Sequence, residues 1–235
     1  AKLPPTTGLA VIGDYPREAV EQHLEAESEF SRRNWIEAAQ RALGAVQVDS
    51  TMAIAWMLRY FALSNAGISV HEQLEALSAA YRQRHRERSP VARLGIAAEY
   101  ARARLDDAGA LAAYDSIMRL MGNRGGINNH GNAYRDTRRF DLAIRIYRRS
   151  IDTTYAYLGV SNGNLVATLL RAGRIDEAKA EVARMVRSDS ANAETIGSRY
   201  AVATAMRDWA ESERLARWRV ATAKSESERL TGITA

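Results

Sequence analysis

The chain has no cysteine in its 235 residues, which excludes disulfides, thiolate metal sites and cysteine nucleophiles and leaves stability to packing. Proline is nearly as scarce, with four in all and none beyond Pro90, so nothing after that point interrupts helical segments by removing an amide hydrogen. No stretch of about eighteen consecutive apolar residues occurs, and hence no membrane-spanning helix is expected. Lysine is confined to Lys2, Lys179 and Lys224, so arginine carries most of the excess behind the formal charge of +5. That skew fits a compositional bias better than an RNA- or DNA-binding surface, which adds clustered basic residues interleaved with aromatics. The opening "AKLPPTTGLAVIGDYP" lacks the basic, apolar, small-residue progression of a secretory signal. A cytoplasmic location is therefore expected, and the first residue, Ala1 rather than Met, fits a segment of a longer protein.

What the chain does have is 46% hydrophobic residues, enough for one sizeable core or for an array of small units sharing one. A repeat decides between them. Ala38, Glu72, Ala110, Ala143, Ala178 and Ser212 each follow a short turn, at successive spacings of 34, 38, 33, 35 and 34. On both sides of each turn apolar and small residues recur three and four apart, the period of amphipathic helices rather than strands. In the fourth unit Ile127, Gly131 and Tyr134 mark a first helix, and Phe140, Ala143, Ile144, Tyr147 and Ile151 a second. Gly131 and Ala143 are small where two axes must come within about 8 Å. Ser89-Pro90 reads as an N-cap followed by proline in the first turn, so a helix is expected to begin at Pro90. Gly67, Gly173 and the "GNRGG" run from Gly122 to Gly126 fall at helix ends as breakers. The one long spacing is explained by "YRQRHRERSP", an extra basic turn or a longer connection with a solvated face.

Trp56 in the second unit, Gly131, Tyr134, Ala143 and Tyr147 in the fourth, and Gly173, Ala178 and Asp189-Ser190 in the fifth carry a pattern that resembles the tetratricopeptide repeat. The resemblance runs over residues 17 to 225 and departs at Tyr60, Glu72 and Ser212. It implies an all-α solenoid of about six antiparallel helix pairs in a right-handed superhelix. An irregular lead-in over 1–16 and a cap or tail over 226–235 flank the repeats. The order of units, with "SPVARLGIAAEY", is also similar to tetratricopeptide segments of bacterial signalling proteins.

Candidate chemistry is sparse. His130 has no second histidine three or four residues away, asparagine is a poor transition-metal ligand, and "HEQLE" at His71–Glu75 lacks the second imidazole of a zinc site. No phosphate loop, nucleophile elbow or kinase element is present. An enzyme is not expected, nor a cofactor or metal.

The asparagines make better sense as binding groups. Asn129 stands two residues before Gly131, and Asn164 two before Val166, the equivalent place in the next unit. The resemblance implies that first helices line a concave surface and that asparagines at this place hold extended peptides. A carboxamide both donates and accepts, so it satisfies a peptide's N–H and C=O together. Asn132 and Arg135 share the helix and offer contacts to acidic groups. Toward the N-terminus, Asn65 of the second unit and Glu99 and Arg102 of the third complete the expected groove, and Met57 and Phe61 read as core. The expected function is a peptide- or protein-binding scaffold, a sensory or assembly segment of a larger bacterial signalling protein, with self-association through the terminal units. The alternative, a basic nucleic-acid binder, rests on Arg82, Arg84, Arg86 and Arg88 and on Arg138, Arg139, Arg145, Arg148 and Arg149, with a steep salt dependence as its signature.

Overall fold

A computed structural model describes residues 15–121, 127–153 and 158–222. The lead-in before Tyr15, the Gly122–Gly126 run and the expected C-terminal cap or tail lie outside the described residues. Those described hold twelve α-helices and no strand. They fall into two compact units, Ala1–Gly122 and Asn123–Ala235.

The first unit contains α1 (Arg17–Ser31), α2 (Trp35–Val48), α3 (Ala53–Asn65), α4 (Val70–Gln83), α5 (Pro90–Ala103) and α6 (Asp107–Leu120). The second contains α7 (Ile127–Asp136), α8 (Phe140–Thr153), α9 (Leu158–Arg171), α10 (Ile175–Ser188), α11 (Ala193–Ala205) and α12 (Trp209–Thr222). In each unit consecutive helices form antiparallel pairs, and the second helix of a pair packs on the first helix of the next. This is the all-α helical-repeat architecture expected from the period.

The same turn closes every pair. Arg33, Gly67, Leu105, Arg138, Gly173 and Arg207 all adopt left-handed backbone, with φ between 58° and 73°. In each case the next amide reaches back to a carbonyl five residues earlier, at 2.8–3.0 Å, from Asn34 to Glu29 through to Asp208 to Ala203. These bonds satisfy carbonyls that a helix end otherwise leaves open. Each turn residue stands five before its register mark, so six turns of one geometry underlie the sequence period.

Small residues set the packing. Ala19, Ala45 and Ala55 are fully buried together with Met52, where α1, α2 and α3 meet. Ala38 and Ala62 do the same between α2 and α3. Short side chains let the axes close up, and larger apolar groups fill the flanks. In the second unit Ile144, Tyr147, Leu165, Val166, Leu169 and Met185 form the core with Ala143 and Ala178. Two connections between pairs share one device. The carboxylates of Asp49 and Asp189 accept the amides of Thr51 and Ala191 two residues on, at 2.9 and 3.1 Å.

α5 begins at Pro90, and the Ser89 hydroxyl accepts from the Ala92 amide at 3.2 Å, as the Ser-Pro pair predicts. The long connection before it contains a 3-10 turn, Arg84–Arg86, and then Glu87, which is 2% exposed. That acid is the anchor of the basic segment. Its Oε1 accepts the Ile54 amide at 3.0 Å and the Tyr15 hydroxyl at 3.1 Å. It thereby caps α3, whose own Met52 offers no capping side chain.

Candidate functional site

The expected asparagine row lies in the second unit, on α7 and α9. α7 is short and polar, and it is held down by one close contact. Gly131 sits over the ring of Tyr147 from α8, and a Cβ there would stand 2.5 Å from the nearest ring carbon. Tyr147 is fully buried, and its hydroxyl donates to Oδ1 of Asn132 at 2.6 Å. Asn132 thus ties α7 to its own partner helix. The Thr137 hydroxyl closes the end of α7 onto the carbonyls of Ala133 and Tyr134.

Asn164 on α9 joins the two pairs. Its Nδ2 donates to Oδ1 of Asn128 at 2.9 Å, and its Oδ1 accepts from Arg135 at 3.3 Å. Arg135 also pairs with Asp136 at 3.0 Å. The cross-repeat amide contact therefore runs through Asn128, one residue before the position that the spacing singles out. Asn129 is half-buried beside it. Asn128, Asn132 and Arg135 stand at i, i+4 and i+7, a single helical stripe, and that spacing was the signal for Asn128.

A further asparagine of α9 turns away from α7, toward α10. Asn162, 9% exposed, accepts from Arg184 of α10 at 2.6 Å. A Cβ on Gly163 would stand 2.9 Å from a carboxylate oxygen of Glu194, which α11 brings against α9. Asn128 and Asn164 are half-buried, and Asn162 is buried.

The other predicted groups lie in the first unit. Asn65 is exposed at the end of α3. Glu99 is 2% exposed and takes the Tyr114 hydroxyl and the Arg102 guanidinium, the latter at 2.8 Å. Glu99 and Arg102 thus occupy one another, and only Arg102 reaches the surface. Met57 and Phe61 pack beside buried Tyr60, Ala76 and Leu77.

Among the described residues no group of three His, Asp or Glu side chains comes together to hold a metal ion. His23 and His130 are buried between helices, the latter stacked on Tyr134 with ring centres 4.7 Å apart. His71 is exposed and lies 3.3 Å from Glu75. No described helix is long and apolar enough to cross a membrane.

Many arginines are matched by acids. Glu177 of α10 receives Arg174 at 2.6 Å and Arg148 of α8 at 2.8 Å, and Arg174 also reaches Asp141 at 3.0 Å. Hydrogen bonds from Arg174 first, then Arg148, pull the Glu177 carboxyl down to about 2.

No family model and no curated protein matches the chain. Among solved structures it is similar to PilW, described as a widely conserved type IV pilus biogenesis factor, with a TM-score of 0.59 and 15% identity over 93% of this chain and 99% of that one. At that identity the likeness concerns the fold.

Proposed function

We propose that the protein is a non-enzymatic scaffold that holds a protein partner by an extended segment, laid along the first helices of its tetratricopeptide-like repeats. The observation that carries this reading is the amide row of α7 and α9, in which Asn164 bridges to Asn128 and Arg135 across neighbouring pairs. Carboxamides in such a row match the alternating donors and acceptors of a peptide backbone, and Arg135, held by Asp136 and Asn164, steadies the row. Asn129 and Asn132 stand on the same helix as Asn128, and Asn65 and Arg102 are polar groups on first helices of the first unit.

The fold likeness to a pilus biogenesis factor favours assembly of a multiprotein structure over signalling as the setting. An affinity near micromolar, about 8 kcal/mol, is expected of contacts pooled in this way. The test is capture of the partner from cells, followed by reconstitution with the purified pair. Asn128→Ala combined with Asn164→Ala weakens binding at least about tenfold, the equivalent of one or two lost hydrogen bonds, with the helical circular dichroism unchanged. Binding that ignores this double variant, or that collapses between about 50 and 200 mM salt as phosphate-backbone contacts do, refutes the reading.

A further inference from the structure

A second surface lies in the first unit. The 3-10 turn after α4 and the start of α5 border an open cleft of about 480 Å³ lined by Arg84, His85, Pro90, Arg93, Leu94 and Ala97. That volume is within the range of small ligand sites, roughly 300–1,000 Å³. Pro90, Arg93, Leu94 and Ala97 stand at i, i+3, i+4 and i+7 on α5, so one helical face supplies the floor. The cleft surface is apolar, and the guanidinium groups of Arg84 and Arg93 belong to its margin rather than to its floor.

The charge on that margin is what distinguishes the cleft. Several half-buried arginines elsewhere meet carboxylates: Arg59 with Glu72, Arg102 with Glu99, Arg174 with Glu177, Arg199 with Glu211. Arg84 and Arg93 instead donate to main-chain carbonyls, Arg84 to Tyr81 at 2.7 Å and Arg93 to Glu87 and Arg88 at 2.6 and 3.2 Å. Each of these bonds runs through Nη1 of a group with five N–H donors. Neither side chain has the freedom of a solvated surface arginine. Arg84 lies 3.8 Å over the Tyr81 ring, and Arg93 is tied to the loop that Glu87 anchors. Two positive groups are thus held in place beside an apolar floor.

The geometry points to this cleft as a docking site for an acidic–apolar peptide of a partner protein, its carboxylate on Arg93 and Arg84 and its aliphatic or aromatic side chain on Pro90, Leu94 and Ala97. Charge complementarity selects the anion, and the apolar floor selects a ligand larger than a bare phosphate. Single-stranded nucleic acid fits less well because the aromatic faces it would stack on are taken. Tyr81 and Tyr100 stack on one another with centres 3.9 Å apart and planes at 11°, and Arg84 and Arg104 lie over the two rings at 3.8 and 5.7 Å.

The experiment is selection of a random peptide library on the full chain, followed by fluorescence polarisation of an enriched, labelled peptide. Enriched peptides should place Asp, Glu or a terminal carboxylate beside Leu, Ile or Phe. Arg93→Gln should weaken binding by about tenfold or more, as loss of a charge-assisted bond does. Leu94→Asp, which leaves both arginines in place, should do the same. Thermal melting followed by circular dichroism checks that each variant folds. The double variant Asn128→Ala with Asn164→Ala should bind the peptide normally, which separates this site from the amide row. The inference is overturned if no peptide is enriched, if enriched peptides lack acidic groups, if both cleft variants bind normally, or if a single-stranded RNA oligonucleotide displaces the peptide.

Discussion

The ring of Tyr147 occupies the space that any side chain at position 131 would need, and its hydroxyl is bonded to Asn132 one residue further along the same helix. Gly131 and Tyr147 therefore fix the seating of α7, and with it the amide row. Gly131→Ala is expected to cost about 1–3 kcal/mol by overpacking, although alanine is the better helix former. Tyr147→Phe removes one hydrogen bond and is expected to cost about 1 kcal/mol. Urea unfolding measures both. A Gly131→Ala variant as stable as the parent would mean that α7 moves off α8 at little cost.

Glu87 gives a pH dependence of definite sign. Burial raises its carboxyl above the ordinary 4.5, against opposing pulls from the Ile54 amide, the Tyr15 hydroxyl and His23. A folded-state pKa above the unfolded one means that its contribution to stability is fully present below the ordinary value and is lost as pH rises through the raised one. Glu87→Gln keeps an oxygen for Ile54 and Tyr15 but cannot ionise. The variant should therefore gain on the parent as pH rises from about 4 to about 7. Glu87→Ala orphans the Ile54 amide and should lose about 1–3 kcal/mol at either pH. Denaturant unfolding at the two pH values checks both, and a Gln variant that falls behind as pH rises refutes the burial argument.

The repeat was legible because six register marks keep time, yet the turn that sets them was visible only at Gly67 and Gly173. At Arg33, Leu105, Arg138 and Arg207 the left-handed residue is not glycine, so local sequence gave no sign of it. The amide contact between neighbouring first helices is off by one from the expected register. Aligning Asn129 with Asn164 assumes that neighbouring helices meet level, whereas the bonded partner is Asn128, on the stripe of Asn132 and Arg135. Glu99 read as a groove acid because charge on a first helix suggests exposure, but Tyr114 and Arg102 compensate it in the interior. Glu87 was hidden by its basic neighbours, since only tertiary structure brings it to the start of α3.

The left-handed turns make opposite predictions at two places. Leu105 is 86% exposed at φ 60°, so its side chain contributes little packing while its backbone is strained by roughly 1–2 kcal/mol. Leu105→Gly should raise stability by about 0.5–1 kcal/mol once glycine's greater freedom in the unfolded chain is subtracted. Gly173 has the same backbone, at φ 73°, and nothing within 4 Å of where its Cβ would be. Gly173→Ala should therefore lose about 1 kcal/mol through backbone strain alone. Melting temperatures that move in the same direction for both variants would contradict this account of the turns.

Glu177 links α8 to α10 through Arg148 and Arg174, and its carboxyl is held down to about 2 from an ordinary 4.5. A folded pKa below the unfolded one gives stability that is present above the ordinary value and lost as pH falls through the depressed one, so this link weakens between about pH 4.5 and pH 2. The side chain is well exposed, and solvent screening keeps its effect on global stability small. The informative measurement is therefore local. Carboxyl-detected NMR titration should place the Glu177 midpoint near 2 in the parent. Arg174→Ala should move it up toward the ordinary value further than Arg148→Ala does, because Arg174 is the larger cause. Equal shifts would assign the two arginines equal weight, and no shift would show that the carboxylate is solvated rather than bridged.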